Sequence, residues 1–287
     1  MTCRIQNRKG IRMSLVYPRR NILKLASLAL PLGSGWREST VSGFETPVTG
    51  RTFEAPVNDS FPTQTPELVR EMVTVSHFDL NRVKELVEAR PSLARAAWDW
   101  GFGDWETALG AASHMGNRGI AEYLIQKGAR PSLFSATMLG QVDVVKAFVA
   151  AQPGVQRIEG PHGISLLSHA KAGGEASRAV LEFLSALGDA DGDPPVPLAE
   201  SDANTLKGIY TFGVAVNQQI EVSVEHGRLT WARRGTMGRQ LFHLGERVFY
   251  PGGAHAVRIE FKEDGPTTVM TVKDPGVVLV AKRAKEK

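Results

Sequence analysis

The segment from Gly188 to Pro197, GDADGDPPVP, divides the chain into two halves that cannot fold in the same way. Proline lacks the backbone N–H that a helix interior or a sheet ladder needs, so three prolines among glycines and aspartates end whatever precedes them. Before this break the apolar residues recur at helical spacing from Thr65 to about Ala190. After it, from about Leu206, they alternate by twos. Ile220, Val222 and Val224 lie opposite Glu221, Ser223 and Glu225, and Val257, Ile259 and Phe261 lie opposite Arg258, Glu260 and Lys262. That alternation gives strands with one buried and one solvated face. Turn signals at Gly227, Gly235, Gly252, Gly265 and Gly276 cut the second half into roughly eight short strands.

The helical half repeats itself. DWETALGAASHMG, from Asp104 to Gly116, followed by NRGIAEYLIQKGARP, from Asn117 to Pro131, reads as a short helix, a turn, a second helix and a cap. Ala108, Ala111 and Ala112 are small where neighbouring helices must approach, and Ile120, Leu124 and Ile125 mark one face of the second helix. The unit resembles an ankyrin repeat, although Gly110 stands where the family's usual histidine would be. Helix pairs are predicted over Pro66–Val75 and Leu80–Ala89, over 134–149, and over 163–187. The turn positions His77, Gly116, Gly140 and Gly173 are 39, 24 and 33 residues apart, against a standard ankyrin period of about 33. A plain antiparallel helical bundle is the structural alternative.

The strand-rich half resembles the small β-domain that follows the catalytic domain of some periplasmic β-lactamase-like serine hydrolases. Leu206, Gly208 and Tyr210, the run EVSVEHGRL from Glu221 to Leu229, and the closing Ala281 and Arg283 carry the likeness. The expected fold class is therefore α+β, an ankyrin-like helical stack followed by a small antiparallel β-barrel or roll. The expected organisation is an export signal and start of a linker over 1–43, linker over 44–64, repeat domain over 65–190, a Pro/Gly/Asp-rich linker over 191–203, and the β-domain over 204–287.

Residues 1–24 hold seven basic residues and no acidic one, and then LASLALPL runs from Leu25 to Leu32. This run falls far short of the roughly 20 apolar residues that span a bilayer, and the pattern is that of a removable export signal. Arg19, Arg20, Leu23 and Lys24 resemble the twin-arginine signal, with Pro18 and Ile22 departing from its usual form. The resemblance implies a bacterial protein exported in the folded state, periplasmic or secreted, without a stable membrane anchor after processing. Met13 is an alternative start, and the cleavage point is open between about residues 36 and 44. Removing the segment leaves 27 basic residues against 30 acidic ones, so the overall pI of 9.2 belongs largely to the signal. A nucleic-acid partner is not expected of a body without a positive field. Cys3, the one cysteine, lies in the same segment, so folding must rest on packing.

The search for chemistry predicts a non-catalytic protein with no cofactor and no metal. No Gly-x-Ser-x-Gly elbow is present, and Gly101 and Gly103 begin no dinucleotide fingerprint. His162 and His169 are seven apart with no third ligand near in sequence, and the seven histidines read as turn or surface residues. The feature that stands out is WDWGFGDW, with Trp98, Trp100, Phe102 and Trp105 in eight residues. In ankyrin register it is a finger loop on the concave face, with Trp105 turned inward and Trp100 outward. Together with His114 and Met115 it forms the candidate surface for a protein partner. A protein-binding module is the expected function, and a lipocalin-like carrier of a small amphiphile in the β-domain is the alternative.

Overall fold

The computed structural model describes residue 59 and residues 61–284, apart from 193, 226, 234, 235 and 237. The export-signal residues Arg19, Arg20, Leu23 and Lys24 lie outside the described residues. The fold is α+β. Eight helices come as four consecutive pairs: α1 (Pro66–Val75) with α2 (Leu80–Ala89), α3 (Ala108–His114) with α4 (Arg118–Gln126), α5 (Leu133–Met138) with α6 (Val142–Ala151), and α7 (Leu166–Ala172) with α8 (Arg178–Leu187). The boundaries of the first pair are those its periodicity predicts.

Each first helix starts on an oxygen-bearing cap. Thr65, Thr107, Ser132 and Ser165 accept from the backbone N–H of Leu68, Gly110, Ser135 and Ser168. Such a cap satisfies one of the donors a helix leaves open and is worth about 1 kcal/mol. The first helices pack on one another, α1 on α3, α3 on α5 and α5 on α7, and α3 also meets α7 directly. The small side chains make this possible: Ala108, Gly110, Ala111 and Ala112 are all buried, so α3 is enclosed on every side. Leu124 and Ile120 of α4 and Val83, Leu86 and Val87 of α2 extend the same core. A second core beneath α5 to α8 is centred on Val145, Leu166, Val180 and Leu184.

Between α2 and α3 the chain makes a two-stranded finger, β1 (Ala97–Asp99) paired with β2 (Trp105–Thr107). After the Pro-rich break a short helix, α9 (Glu200–Leu206), precedes the barrel and adds Ala203 and Leu206 to its core. This helix, seven residues long, lies between the break and the first barrel strand, where strand alternation alone does not announce it.

Eight strands close the barrel: β3 (Gly208–Thr211), β4 (Gln219–Glu225), β5 (Arg228–Arg233), β6 (Arg239–Gly245), β7 (Val248–Pro251), β8 (Arg258–Asp264), β9 (Thr267–Asp274) and β10 (Val277–Arg283). Every strand pairs antiparallel with its neighbours in sequence, and β10 returns to β3 to complete the ring. Eight strands enclose a space that side chains can fill. Here they fill it: Tyr210, Phe249, Ile259 and Met270 are fully buried, with Tyr210 and Phe249 both edge-on to Phe261. The Tyr210 hydroxyl donates to the Leu206 carbonyl at 2.9 Å, which ties α9 to the barrel.

The described helices and strands belong to one unit, residues 56–287. No helix among the described residues is long and apolar enough to cross a membrane.

Candidate metal centre

The finger strand β2 sets up the site through simple alternation. In an extended strand successive side chains point to opposite faces. Trp105 and Thr107 face out, and Glu106 between them is fully buried. A buried carboxylate is costly unless it is hydrogen-bonded and balanced by positive charge. Glu106 is met from four directions. The Trp100 indole N–H donates to its Oε2 at 2.7 Å, and His114 Nε2 lies 2.9 Å from its Oε1. His77 Nε2 and His162 Nε2 each lie 3.5 Å from Oε2.

These ligands come from different parts of the stack. His77 follows α1, His114 ends α3, and His162 sits in a tight turn before α7 with φ of 62°. One ligand atom from each of His77, Glu106, His114 and His162 lies within 4.8 Å of the others.

The far sides of two rings are fixed. His77 Nδ1 is 3.1 Å and 3.0 Å from the carbonyl oxygens of Val73 and Thr74. A carbonyl only accepts, so this nitrogen carries the proton and leaves Nε2 with a bare lone pair when the ring is neutral. His162 Nδ1 is 2.9 Å from Asp104 Oδ2 and therefore also carries a proton. Asp104 in turn accepts the His162 backbone N–H at 3.0 Å and is paired with Arg239 of β6. Holding the outer nitrogen of a ring against a carbonyl or a carboxylate, so that Nε2 is aimed inward, is how proteins orient imidazole ligands to metals.

The protonation pattern follows. Burial opposes the charge on Glu106, but hydrogen bonds from His114 and His162 and the positive charge of His162 nearby more than offset it, holding the carboxyl at about 2. Burial also opposes charge on His162, yet its contacts with Asp104 and Glu106 carry it up to about 9. Asp104 is lowered as well, its burial outweighed by His162 and Arg239. Burial lowers His77. It also lowers His169, a fully buried ring against Phe134, to about 4. Without metal, the Asp104 and Glu106 carboxylates are met by the Arg239 guanidinium and by His162, whose charged form these contacts favour. When His77 is neutral its bare Nε2 faces a carboxylate oxygen, an arrangement that a proton on Nε2 or a metal cation between them makes favourable.

A pH dependence of stability follows for the metal-free chain. Glu106 is held below its ordinary value of 4.5, so its contribution is present above 4.5 and fades as pH falls toward 2. His169 is held below 6.5, so protons favour the unfolded chain as pH falls from 6.5 toward 4. His162 is raised above 6.5, so its contribution is complete below 6.5 and is lost as pH climbs through 9. The urea midpoint measured in chelator should therefore peak near pH 6.5 and fall on both sides. A midpoint that keeps rising to pH 9 contradicts this assignment.

Of the residues singled out in sequence, Trp98 is half-buried against the first helical core, and Trp100 is half-buried and bonded to Glu106. Trp105, 64% exposed, faces solvent. The orientation of the two tryptophans is thus the reverse of the expected one, because burying Glu106 turns its strand neighbour Trp105 outward. Phe102 stacks on Trp231 of β5, with ring centroids 6.0 Å apart, and stays partly exposed. Met115 is exposed. His114 points into the buried cluster and so is not part of an open partner surface. The expectation that the histidines are turn or surface residues fails for His114, at the end of α3, and for His169, inside α7, whose rings are buried; His77 does lie in a turn, after α1, but its ring is buried as well. The expectation of no metal site looked only at close sequence spacing. The missed residues are His77, Asp104, Glu106, His162 and Arg239. One signal in the sequence was available: the pair Ser-His closes two consecutive first helices, at Ser76-His77 and Ser113-His114, and returns at Ser168-His169.

Two open depressions lie beside the centre, where helices and barrel meet. One of about 260 Å³ is lined by Asp104, Trp105, Phe134, Glu159, Pro161 and Gly253 among others. The other, of about 400 Å³, is lined by Arg157, Ile158, Glu159, Gly160, Gly253 and His255. Comparison with protein-family models, with curated proteins and with solved structures finds no match for this chain.

Proposed function

We propose that this chain is an exported metal-binding scaffold protein. Its helical half is an ankyrin-type stack of four pairs that holds one divalent first-row transition ion on His77, Glu106, His114 and His162. The observation that carries the reading is the convergence of three imidazole nitrogens on one fully buried carboxylate. Three imidazoles and a carboxylate, with no thiolate, suit zinc, copper, iron or nickel rather than calcium or magnesium. The size also fits. Metal–nitrogen bonds of about 2.0–2.1 Å in a tetrahedral site put ligand atoms roughly 3.4 Å apart. His114 Nε2 lies 2.9 Å from Glu106 Oε1, His77 and His162 Nε2 lie 3.5 Å from Oε2, and all four ligand atoms lie within 4.8 Å of one another, a spacing that a small inward shift of the rings brings to that value.

Support for the ankyrin-type stack lies in the ordered packing of α1, α3, α5 and α7 and in the finger between the first two pairs. Support for bacterial export lies in Arg19, Arg20, Leu23 and Lys24, and a route that carries folded proteins suits a chain that must form its site before leaving the cytoplasm. Trp105 and Met115, both well exposed on the stack, are the side chains it offers to a protein partner. The closed barrel is compatible with a lipocalin-like carrier, and its filled interior favours the scaffold role instead.

The test is metal stoichiometry. Metal-stripped chain is dialysed against Co²⁺ and against Zn²⁺, and bound metal is counted per chain. We expect one ion per chain, with visible Co²⁺ absorption at tetrahedral intensity, and loss of both in a His114→Gln, His162→Gln double variant that stays folded by circular dichroism. Wild-type chain that holds no stoichiometric metal, or a double variant that holds as much, overturns the reading.

A further inference from the structure

One rung of the barrel reaches toward the candidate metal centre. Trp231 of β5 and Arg239 of β6 are direct cross-strand partners. Both point at the finger loop between β1 and β2. Trp231 stacks on Phe102 with ring planes 10° apart. Arg239 donates to the Gly101 carbonyl at 3.2 Å and 3.3 Å through its two terminal nitrogens, and pairs with Asp104 through Nη2. Phe102 is held at φ of 59°, a conformation that costs a side-chain-bearing residue energy unless its surroundings hold it there.

A second barrel segment closes on the same pair from another side. The turn after β7 brings Gly252 against the His162 carbonyl and Gly253 against the Asp104 carboxylate so closely that neither position has room for a side chain. His162 and Asp104 are therefore enclosed by barrel residues from two directions, although both belong to the helical half.

The order of contacts matters. The Asp104 carboxylate sets the tautomer and tilt of His162, and the tilt of His162 aims Nε2 at Glu106. Arg239 sets where that carboxylate sits. Its side chain is 13% exposed, so the pair is shielded from water and its geometry is not averaged away. Arg239 cannot touch an ion bound among the four ligands, since Asp104 and His162 intervene.

We propose that Arg239 is a positioning residue through which the barrel sets the metal affinity of the helical stack. The inference rests on the metal reading above. By linkage it is reciprocal: whatever loosens the barrel from the finger weakens metal binding, and metal binding tightens the finger onto the barrel. The barrel then acts as a regulator of the centre, and a ligand that disturbs the Trp231–Arg239 rung would release the ion.

The experiment is Co²⁺ titration of the full chain in wild-type, Arg239→Ala, Arg239→Lys and Phe102→Ala forms, followed by its visible spectrum and by competition with a chelator of known affinity. Losing an outer partner of a ligating histidine typically costs 10–100-fold in affinity; Arg239 acts through that partner, Asp104, so for Arg239→Ala we expect a loss near the lower end, about 10-fold, with a shifted Co²⁺ band. Arg239→Lys keeps the charge but not the two-pronged geometry, so an intermediate loss is expected. Phe102→Ala removes the other half of the rung's grip without touching Asp104, and should cost less than Arg239→Ala does. A role limited to gluing the halves together would weaken stability in both variants equally and leave the Co²⁺ band of the bound fraction unmoved. Wild-type affinity and spectrum in Arg239→Ala overturn the inference while the metal reading stands. Should Arg239→Ala fail to fold, wild-type affinity in Arg239→Lys overturns it in the same way. Wild-type chain that takes up no Co²⁺ removes the metal reading, and this inference with it.

Discussion

Replacing Glu106 by alanine should cost about 3–5 kcal/mol of folding stability, the range seen when one partner of a buried ion pair is deleted. The size of the effect comes from what is left behind. Trp100 loses the acceptor of its indole N–H, and His114 loses the partner of its Nε2. The positive charge on His162 keeps only Asp104, which is already shared with Arg239. Each stranded group is in or near the interior, where an unmet donor carries its full desolvation penalty. Glu106→Gln should cost less, since the amide oxygen can still accept from one donor. Urea unfolding of the metal-free chain at pH 7 measures both, and stoichiometric Co²⁺ uptake should vanish in each. A loss under about 1 kcal/mol for the alanine variant would mean that the cluster relaxes around the gap and that Glu106 is not its hub.

Gly140→Ala should be nearly as damaging, at about 3–5 kcal/mol, for reasons of backbone geometry and contact combined. Gly140 joins α5 to α6 with φ of +78°, where a Cβ alone costs about 1–2 kcal/mol. Its added carbon would also overlap the Ala176 carbonyl, which belongs to the turn of the next pair. Backbone cannot swing aside as a side chain can. Other turn glycines are wedged in the same fashion, Gly116 of the second pair against the Ala172 carbonyl of the fourth, and Gly173 against that of Met138. Gly188, at the end of α8 with φ of +80°, is the control, because nothing lies within 4 Å of the added carbon. Gly188→Ala should lose only the conformational part. Equal losses at positions 140 and 188, measured by urea unfolding, would show that the turns do not bear on one another.

Much of this architecture is readable from local chemistry. Helix caps at Thr65, Thr107 and Ser165, the alternation in β4 and β8, and the glycine-marked turns each report on a few neighbouring residues, and the structure has those elements there. Barrel closure is less legible, because β10 pairs with β3 across some seventy residues. The site is less legible still. Its ligands His77, Glu106, His114 and His162 are brought together only by stacking three helical units, and no local spacing encodes that distance. The WDWGFGDW run drew attention for its aromatic content. Its chemistry lies in the two acids between and beside the rings, Asp104 and Glu106, whose burial depends on the stack and the barrel that cover them.

Among the described residues, the completed ring of β3 to β10 leaves no strand of the barrel without a partner on each side. A closed ring offers no free edge strand for a further strand to join, the route by which open sheets take up extended peptides. Whatever engages the barrel must do so through side chains such as Val277, Val278 and Val280, which stand well exposed on β10.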